Sequence, residues 1–343
     1  MLAEVAEMLN NHARGDVSHK AAELLEGLTG TKSGMDELIA GAEVIVPSLV
    51  GTLIVATMSL QQAREDTSDQ EKFMIDELQK AAKCCAGALV NLSQNKEVGP
   101  MLVKAGAMAA CVRLLSREEA RYELQERLVL LLTNLTTEDS ACRKLVDMGE
   151  EALLLLVNRY LDTRNARQND DTVEHLGSVF MNLTRVSEGR KAMTSDTVDA
   201  PRRLMPLLDS PNVIRRRGVA AMLKNICLEF DKDTPDPQED AKQAIHALLH
   251  ESVLNTILIK LGSDKPIHIA DEDDSVRILL SDVILLLVQN EAGLEALWKL
   301  NVAPKLQMCF QHEENLEISS TYEHAADFIL AAGKESTSTA AVE

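Results

Sequence analysis

The sequence predicts an all-α protein built from stacked helical repeats, and three observations lead to this fold class. Hydrophobic residues make up 45% of the 343 residues, whereas aromatic residues make up only 3%. The abundant Leu, Ala and Met lose little rotamer freedom in a helix, and the aromatic excess typical of sheets is missing. Glycine and proline are sparse, with 16 and 9 residues, which suits long helices joined by short turns. The third observation is an internal repeat.

Four similar segments each end an apolar helical pattern with an asparagine. These residues are Asn91, Asn134, Asn182 and Asn225, and their spacings are 43, 48 and 43 residues. Periods of about 40–47 residues are typical of armadillo and HEAT repeats. Weaker copies place Gly27 and Leu286 at the same position. We therefore expect an armadillo/HEAT-type right-handed superhelical solenoid of about six repeats.

A second landmark follows the first at a fixed distance. Gly106 and Gly149 lie fifteen residues after Asn91 and Asn134, and Asn301 lies fifteen residues after Leu286. Glycine and asparagine tolerate the left-handed conformation that ends a helix. Each repeat is therefore predicted to contain two helices, a tight turn and a third helix. The third copy departs from this pattern, because Thr197 occupies the equivalent position.

We predict that residues 1–332 form a single repeat array. It comprises a weaker N-terminal copy at 1–60, repeats at 72–230 and C-terminal repeats at 241–332. Segments 65–77 and 229–240 each hold six acidic residues, and 271–274 are four acids in a row. This composition is typical of surface loops, and the first two are expected to be the least ordered internal regions. The small, polar residues 333–343 are expected to form a disordered tail.

The net charge indicates which partners to expect, and the cysteines indicate the cellular compartment. A net charge of −19 repels nucleic acid and anionic membrane surfaces. The six cysteines form no CxxC pair, which indicates small buried hydrophobes in a reducing compartment. The N-terminus has no basic region typical of a signal peptide. We expect a cytoplasmic protein, with the nucleus as the alternative.

One apolar stretch, Val44 to Leu60, has the composition of a membrane segment. It contains Pro47 and several small polar residues, and it is short for a span of about 20 residues. A buried repeat helix is the better interpretation, so no membrane contact is expected.

The four asparagines are candidate partner-binding residues. Matching positions in stacked repeats line up along one extended face. An asparagine amide both donates to and accepts from a peptide backbone, so such a ladder suits an extended partner segment. The alternative is that each asparagine caps its own helix or ties one repeat to the next.

A basic island lies between Arg185 and Lys224, where nine basic residues meet four acids. Within it, Arg216, Arg217 and Lys224 are candidates for a basic spot that binds an acidic feature of a partner. Arg217 and Asn225 share a helix face with Ala221 between them. The alternative is that these side chains pair with acidic loops of this same chain. Nucleic acid is disfavoured because the island lacks interleaved aromatic residues.

Motifs for catalysis are missing. His246 and His250 have the spacing of zinc ligands on one helix face, but the glutamate of a zinc-protease motif and a third ligand are absent. The sequence shows no glycine-rich phosphate loop, nucleophile elbow or paired-acid arrangement. We therefore expect no enzyme activity, no cofactor and no metal.

Two resemblances add to this interpretation. Residues 81–92 and 102–106 resemble the armadillo signature of catenins and importins. Importin-type adaptors carry a tryptophan one helical turn before the asparagine, where this chain has Gly87, Leu130, Ser178 and Ala221. The resemblance therefore does not imply carriage of nuclear signals.

The second resemblance is to the eukaryotic HGH homologue family. It rests on residues 175–184 and 189–191, on the block Ser210 to Glu229 that contains Arg215-Arg216-Arg217-Gly218-Val219, and on 274–287. It implies an adaptor that binds newly made translation elongation factor two and brings it to the cytosolic chaperonin. The alternative is a general armadillo scaffold with another protein partner.

Overall fold

A computed structural model describes residues 1–11, 14–62, 67–117, 122–162, 171–227, 246–263 and 270–339. Within these ranges the chain consists of helices and turns and contains no strand. The predicted all-α fold class is therefore confirmed for the described residues. The chain divides into two compact units, Met1–Val179 and Phe180–Glu343.

The first unit contains ten complete helices in its described part. They are α1 (Leu2–Leu9), α2 (Gly15–Thr29), α3 (Lys32–Ala40), α4 (Ala42–Gln62), α5 (Asp69–Leu92), α6 (Val98–Lys104), α7 (Ala107–Leu115), α8 (Tyr122–Leu135), α9 (Asp139–Val146) and α10 (Glu150–Leu161). Helix α5 packs between α2 and α8, and α4 packs on α5 and α7. The long helices that carry the repeat landmarks are thus neighbours of one another.

Helix α11 (Leu176–Leu183) carries the boundary between the units. The described part of the second unit continues with α12 (Ser187–Met193), α13 (Ala200–Leu204), a 3₁₀ turn (Met205–Asp209), α14 (Val213–Ile226), α15 (Glu251–Lys260), α16 (Asp274–Val288), α17 (Glu291–Lys299), α18 (Val302–His312) and α19 (Leu316–Thr339). Here α14 packs on α16, and α16 packs on α19. The prediction of one array over 1–332 is not tested by this division and stays a prediction.

The tight turns fall where the second landmark predicts them. Gly106, Gly149 and Asn301 have φ of 88°, 91° and 54°, and each directly precedes a helix. In the third copy the left-handed residue is Asp199, at φ 40°, rather than Thr197. A short polar side chain tolerates this conformation better than a β-branched one does.

Helix α4 is a core helix in its packing. Its residues Leu49 and Leu53 are fully buried, and burial of a leucine side chain contributes about 1.5–3 kcal/mol. Among the described residues, Ala42–Leu60 is the one stretch long and apolar enough by itself to cross a membrane, and 56% of its apolar window is buried in the protein. The bent pair α6 and α7 meets the same criterion together.

Two predicted irregular segments are corrected. Residues 69–77, expected in an acidic loop, form the start of α5. Ser68 accepts a hydrogen bond from Glu71 N, while the Glu71 side chain accepts from Ser68 N. This capping box satisfies free backbone groups, and acids in a first turn suit the helix dipole. Segment 229–240 lies outside the described residues.

The expected disordered tail from residue 333 is the second correction. The backbone of α19 remains helical through Thr339. Alanine, lysine and glutamate in 331–335 favour helix, and no proline interrupts the helix. Residues 340–343 lie outside the described part of the chain. The predicted loop at 271–274 is confirmed up to Asp273, which caps α16.

Candidate protein-binding faces

In the first unit, two of the predicted asparagines hold neighbouring repeats together. Asn91 Nδ2 donates to Thr29 Oγ1 at 2.7 Å. Asn134 Nδ2 donates to Ser93 Oγ at 2.9 Å and to Val90 O at 3.3 Å. Each bond joins the end of one landmark-bearing helix to the end of the landmark-bearing helix of the preceding repeat. The tie between repeats, which was the alternative interpretation, is therefore present.

The direction of these bonds leaves the amide oxygens available. Thr29 Oγ1 and Ser93 Oγ already donate their protons to Glu26 O and Val90 O, so each hydroxyl must accept from the asparagine. Among the described residues, Oδ1 of Asn91 and of Asn134 accepts no hydrogen bond from protein, and neither is sealed from solvent. Two acceptors are therefore free for a ligand.

The second unit repeats this arrangement once. Asn225 Nδ2 donates to Met181 O at 2.8 Å and to Thr184 Oγ1 at 3.4 Å. Asn182 differs, because only 5% of its surface is exposed. Burial makes Asn182 the least accessible of the four predicted ladder residues. We call the surface that carries Asn91 and Asn134 the asparagine face of the first unit. The surface that carries Asn225 is the asparagine face of the second unit.

Arg216 belongs to the interior rather than to a partner-binding surface. Only 6% of it is exposed. Its Nη1 donates to Ser210 O at 2.9 Å, and its Nε lies 2.8 Å from Asp271 Oδ2. Asp271 is itself buried. The prediction that Arg216 contacts a partner is therefore wrong, because the guanidinium is enclosed by carboxylate and carbonyl groups of its own chain.

Arg217 and Lys224 are more exposed but are also paired within the chain. Arg217 donates from Nε and Nη2 to the two oxygens of Asp273, at 3.0 and 2.6 Å. Lys224 Nζ donates to Asp282 Oδ2 at 2.6 Å. Both acids belong to α16 or its N-cap. Pairing with acids of the same chain, the alternative interpretation of the basic island, therefore describes all three residues.

The clamp made by Arg216 recurs one repeat later. Arg277 Nη1 donates to Asp271 O at 2.7 Å, while its Nε and Nη2 donate to the carboxylate of Glu313 at 2.9 Å. Arg216 and Arg277 both lie four residues after the N-cap of their helices, Asn212 and Asp273. Each arginine thus binds the loop before its own helix and an acid before the next long helix.

Of the two histidines with the spacing of zinc ligands, His250 has a local structural contact. His250 caps α15, and its Nδ1 accepts from Ser252 N at 3.3 Å. In the described ranges, no three His, Cys, Asp or Glu side chains cluster in a way that could hold a metal ion. All six cysteines are buried, and none of them forms a disulfide within the described residues. Burial raises the pKa of the Cys84 thiol to about 12.

Comparison with known proteins identifies the family. The model of a family described as a domain of unknown function (DUF383) matches residues 73–286, which is more than half of the chain. Similar proteins in several eukaryotes are called Protein HGH1 homolog. The chain belongs to this family of HGH1 homologues.

The sequence similarity to individual family members is low but extensive. The relative from Dictyostelium discoideum is 21% identical over 268 residues, covering 71% of this chain and 72% of the relative. The relative from Danio rerio is 22% identical over 341 residues, covering 93% and 81%. That from Schizosaccharomyces pombe is 27% identical over 179 residues, covering 48% and 49%.

Solved structures with a similar fold include engineered proteins. A designed armadillo repeat protein in complex with the peptide (KR)4 is 18% identical and has a TM-score of 0.58, covering 83% of this chain and 99% of the design. A second engineered protein has a TM-score of 0.57 at 16% identity, with coverage of 80% and 96%. At this identity the likeness shows that this HGH1 homologue has an armadillo-like fold.

Sequence reasoning missed one feature of the first asparagine face. Arg127 Nη1 donates to Glu26 Oε1 at 2.5 Å and to Lys83 O at 2.8 Å. The pair lies directly over Gly87, since a Cβ there would overlap both side chains. The ion pair therefore occupies the position one turn before Asn91. The glycine was the only sequence signal, and it did not indicate which side chains would fill the space.

Proposed function

We propose that this HGH1 homologue is a non-enzymatic adaptor that binds an extended segment of a client protein along its asparagine faces. The observation that carries this proposal is the orientation of the amide groups. Their donors are used inside the protein, and their oxygens are left as acceptors for the N–H groups of a bound backbone. Membership of the family and the armadillo-like fold support a protein-interaction scaffold.

By resemblance to the family, the proposed client is newly made translation elongation factor two, and the proposed destination is the cytosolic chaperonin. This role needs contacts with two proteins, which a long repeat surface suits because it offers many positions along its length. We also propose a cytoplasmic location, with the nucleus as the alternative, in keeping with six cysteines that form no disulfide within the described residues.

The test is quantitative capture of both proteins from cytosol of the source cells. Immobilised wild-type protein should enrich the elongation factor and chaperonin subunits. Asn91→Ala with Asn134→Ala should reduce the captured elongation factor, because both acceptor oxygens are removed. If wild-type protein enriches neither protein above a bead control, the proposed client is wrong.

A matched control separates binding from stability. Thr29→Val with Ser93→Ala removes hydroxyl acceptors for Asn91 and Asn134 but leaves both asparagine oxygens in place. The control should therefore lower stability by a similar amount while it retains client capture. Equal loss of capture in the two double variants would show that the asparagines act only as ties between repeats.

A general scaffold for another partner is the second candidate. It is favoured by the fold similarity to a designed armadillo protein that binds a peptide. The same capture experiment, read by mass spectrometry and repeated with the asparagine variants, distinguishes the two. A different protein lost specifically with Asn91→Ala and Asn134→Ala would support this candidate.

A further inference from the structure

We propose that Arg127 forms a carboxylate-binding site on the first asparagine face, so that the client segment bound there carries an acidic group. This inference rests on the proposed function and specifies the chemistry of its ligand. It depends on the orientation of one guanidinium group and on the space left above Gly87.

One side of the Arg127 guanidinium is fixed by the protein. Nη1 lies between Glu26 Oε1 and Lys83 O, so a single nitrogen takes up both internal contacts. Glu26 comes from α2, Lys83 from α5 and Arg127 from α8, so the landmark-bearing helices of three successive repeats hold the group. A guanidinium held in this way loses less conformational freedom when it binds a ligand.

The other edge of the guanidinium, formed by Nε and Nη2, is open. Neither nitrogen has a partner among the described residues, and neither is sealed from solvent. The Arg127 side chain is 27% exposed. This edge is the one that binds both oxygens of a carboxylate in a planar, two-bond arrangement.

The same chain shows what this edge binds elsewhere. The Nε and Nη2 atoms of Arg217 hold the two oxygens of Asp273, and those of Arg277 hold Glu313. Both distances in each pair fall between 2.6 and 3.0 Å. The Nε and Nη2 atoms of Arg127 present the same geometry, but no carboxylate of the described residues binds them.

The position of Arg127 matches that of the asparagines. Arg127 and Asn134 lie on α8 seven residues apart, and they reach the carbonyl oxygens of Lys83 and Val90, each 44 residues earlier in the chain. Both side chains therefore lie across the contact between α5 and α8. A segment bound to the amide oxygens of Asn91 and Asn134 would pass the open guanidinium edge.

The local charge permits an added carboxylate. Glu26 pairs with Arg127, and Lys83 lies 3.8 Å from Glu123. These two cations and two anions cancel, so the two ion pairs add no net negative charge beside the open edge of Arg127. A Cβ at residue 87 would displace the ion pair, and Gly87 is therefore part of the site.

The test uses short synthetic peptides that alternate serine with aspartate or with asparagine, both amidated at the C-terminus. Binding to wild-type protein is measured by fluorescence anisotropy at moderate salt. The aspartate peptide should bind about tenfold more tightly, as expected for hydrogen bonds to a charged group. A third peptide, asparagine-serine with a free C-terminus, shows whether a terminal carboxylate suffices.

Variants assign the effect to Arg127. Arg127→Gln should abolish the preference for aspartate, and Arg127→Lys should reduce it because the two-bond edge is lost. Glu26→Gln should strengthen aspartate binding by removing the nearby negative charge. Arg113→Gln removes the same charge from an exposed site on α7 and should leave the preference unchanged. Melting curves confirm that each variant is folded at the assay temperature.

Three results would overturn this inference: equal binding of the aspartate and asparagine peptides, equal effects of Arg127→Gln and Arg113→Gln, or no peptide binding. The proposed function fails by a different measurement, the loss of client capture in Asn91→Ala with Asn134→Ala. A protein that captures its client through the asparagines yet ignores aspartate would retain the proposed function without the carboxylate site.

Discussion

At the residue scale, Asp273 combines two roles in the second unit. It caps α16 by accepting from Val276 N at 3.0 Å, and its two carboxylate oxygens accept from Nε and Nη2 of Arg217. The hydrogen bonds from Arg217 hold the pKa of Asp273 below its ordinary value, and the Val276 amide acts in the same direction. The folded protein therefore favours the charged carboxylate.

This shift predicts a pH dependence of stability. The unfolded pKa of aspartate is about 3.9 and the folded value is lower, so the stabilisation is present above that pH and is lost as pH falls through the folded pKa. Asp273→Asn keeps a good N-cap but removes the charge. Urea denaturation should show a wild-type advantage that is constant above about pH 5 and shrinks below about pH 4. An advantage unchanged at low pH would contradict the assignment.

Reversing the charges of the two exposed cations, Arg217 and Lys224, is expected to lower the stability of the protein. Arg217→Glu with Lys224→Glu places like charges beside Asp273 and Asp282, so the urea midpoint should fall clearly. Adding Asp273→Lys and Asp282→Lys restores opposite charges and should recover much of the loss. If the double variant keeps its stability and loses only client binding, the partner-facing interpretation of these two residues is correct after all.

Single residues also show the limit of sequence reasoning. The asparagines and the basic island were both recognisable from spacing and charge. Their partners were not, because Asn134 reaches a helix end 41 residues away and Arg217 reaches an acid 56 residues away. Both pairings depend on how the repeats stack. The sequence therefore left two interpretations open, and packing selected internal pairing for Arg216, Arg217 and Lys224.

At the scale of elements, glycines set how closely the short helix after a landmark approaches the helix that carries the landmark. A Cβ at Gly34, Gly189 or Gly293 would overlap the carbonyl oxygen of Leu28, Leu183 or Leu287. Each glycine lies seven residues after the landmark of its repeat, at Gly27, Asn182 or Leu286. This close approach of two backbones therefore recurs in three copies of the repeat, whereas the positions seven residues after Asn91 and Asn134 hold Val98 and Ala141.

The close approach at Gly189 and the open space at Gly99 predict opposite effects of alanine substitution on stability. Gly189→Ala should destabilise the protein by about 1–3 kcal/mol, because the added methyl group forces α12 away from Leu183. Gly99→Ala in α6 meets no atom within 4 Å. It should stabilise by about 0.4–1 kcal/mol by restricting the unfolded chain. Urea denaturation measures both, and a neutral Gly189→Ala would show that α12 can move away from α11 without cost.

Helix positions were predicted better than helix boundaries. The period and the left-handed turns gave the order of elements, since Gly106, Gly149 and Asn301 are locally encoded. The segment after residue 68 was misassigned because its acids suggested a loop. Ser68 and Glu71 form a capping box at that point, and this local signal should have outweighed composition.

At the scale of the whole molecule, repeat proteins distribute their stability among neighbouring elements. The contacts of Arg216 and Arg277 link successive repeats within the second unit, and the asparagine ties do the same within the first. A perturbation is therefore expected to spread mainly through the unit that contains it. This expectation bears on whether residues 1–332 behave as one array.

Hydrogen exchange of two variants tests whether a perturbation spreads mainly through the unit that contains it. Arg216→Ala leaves Asp271 buried without its partner and should cost about 3–5 kcal/mol. Leu131→Ala, at a fully buried position of α8, should cost about 2–5 kcal/mol. Amides of α14, α16 and α19 should exchange faster in the first variant, and those of α5 and α8 in the second. Equal acceleration of all five helices by either variant would instead mean that the chain opens as one cooperative array, since local repeat energies would then not limit exchange.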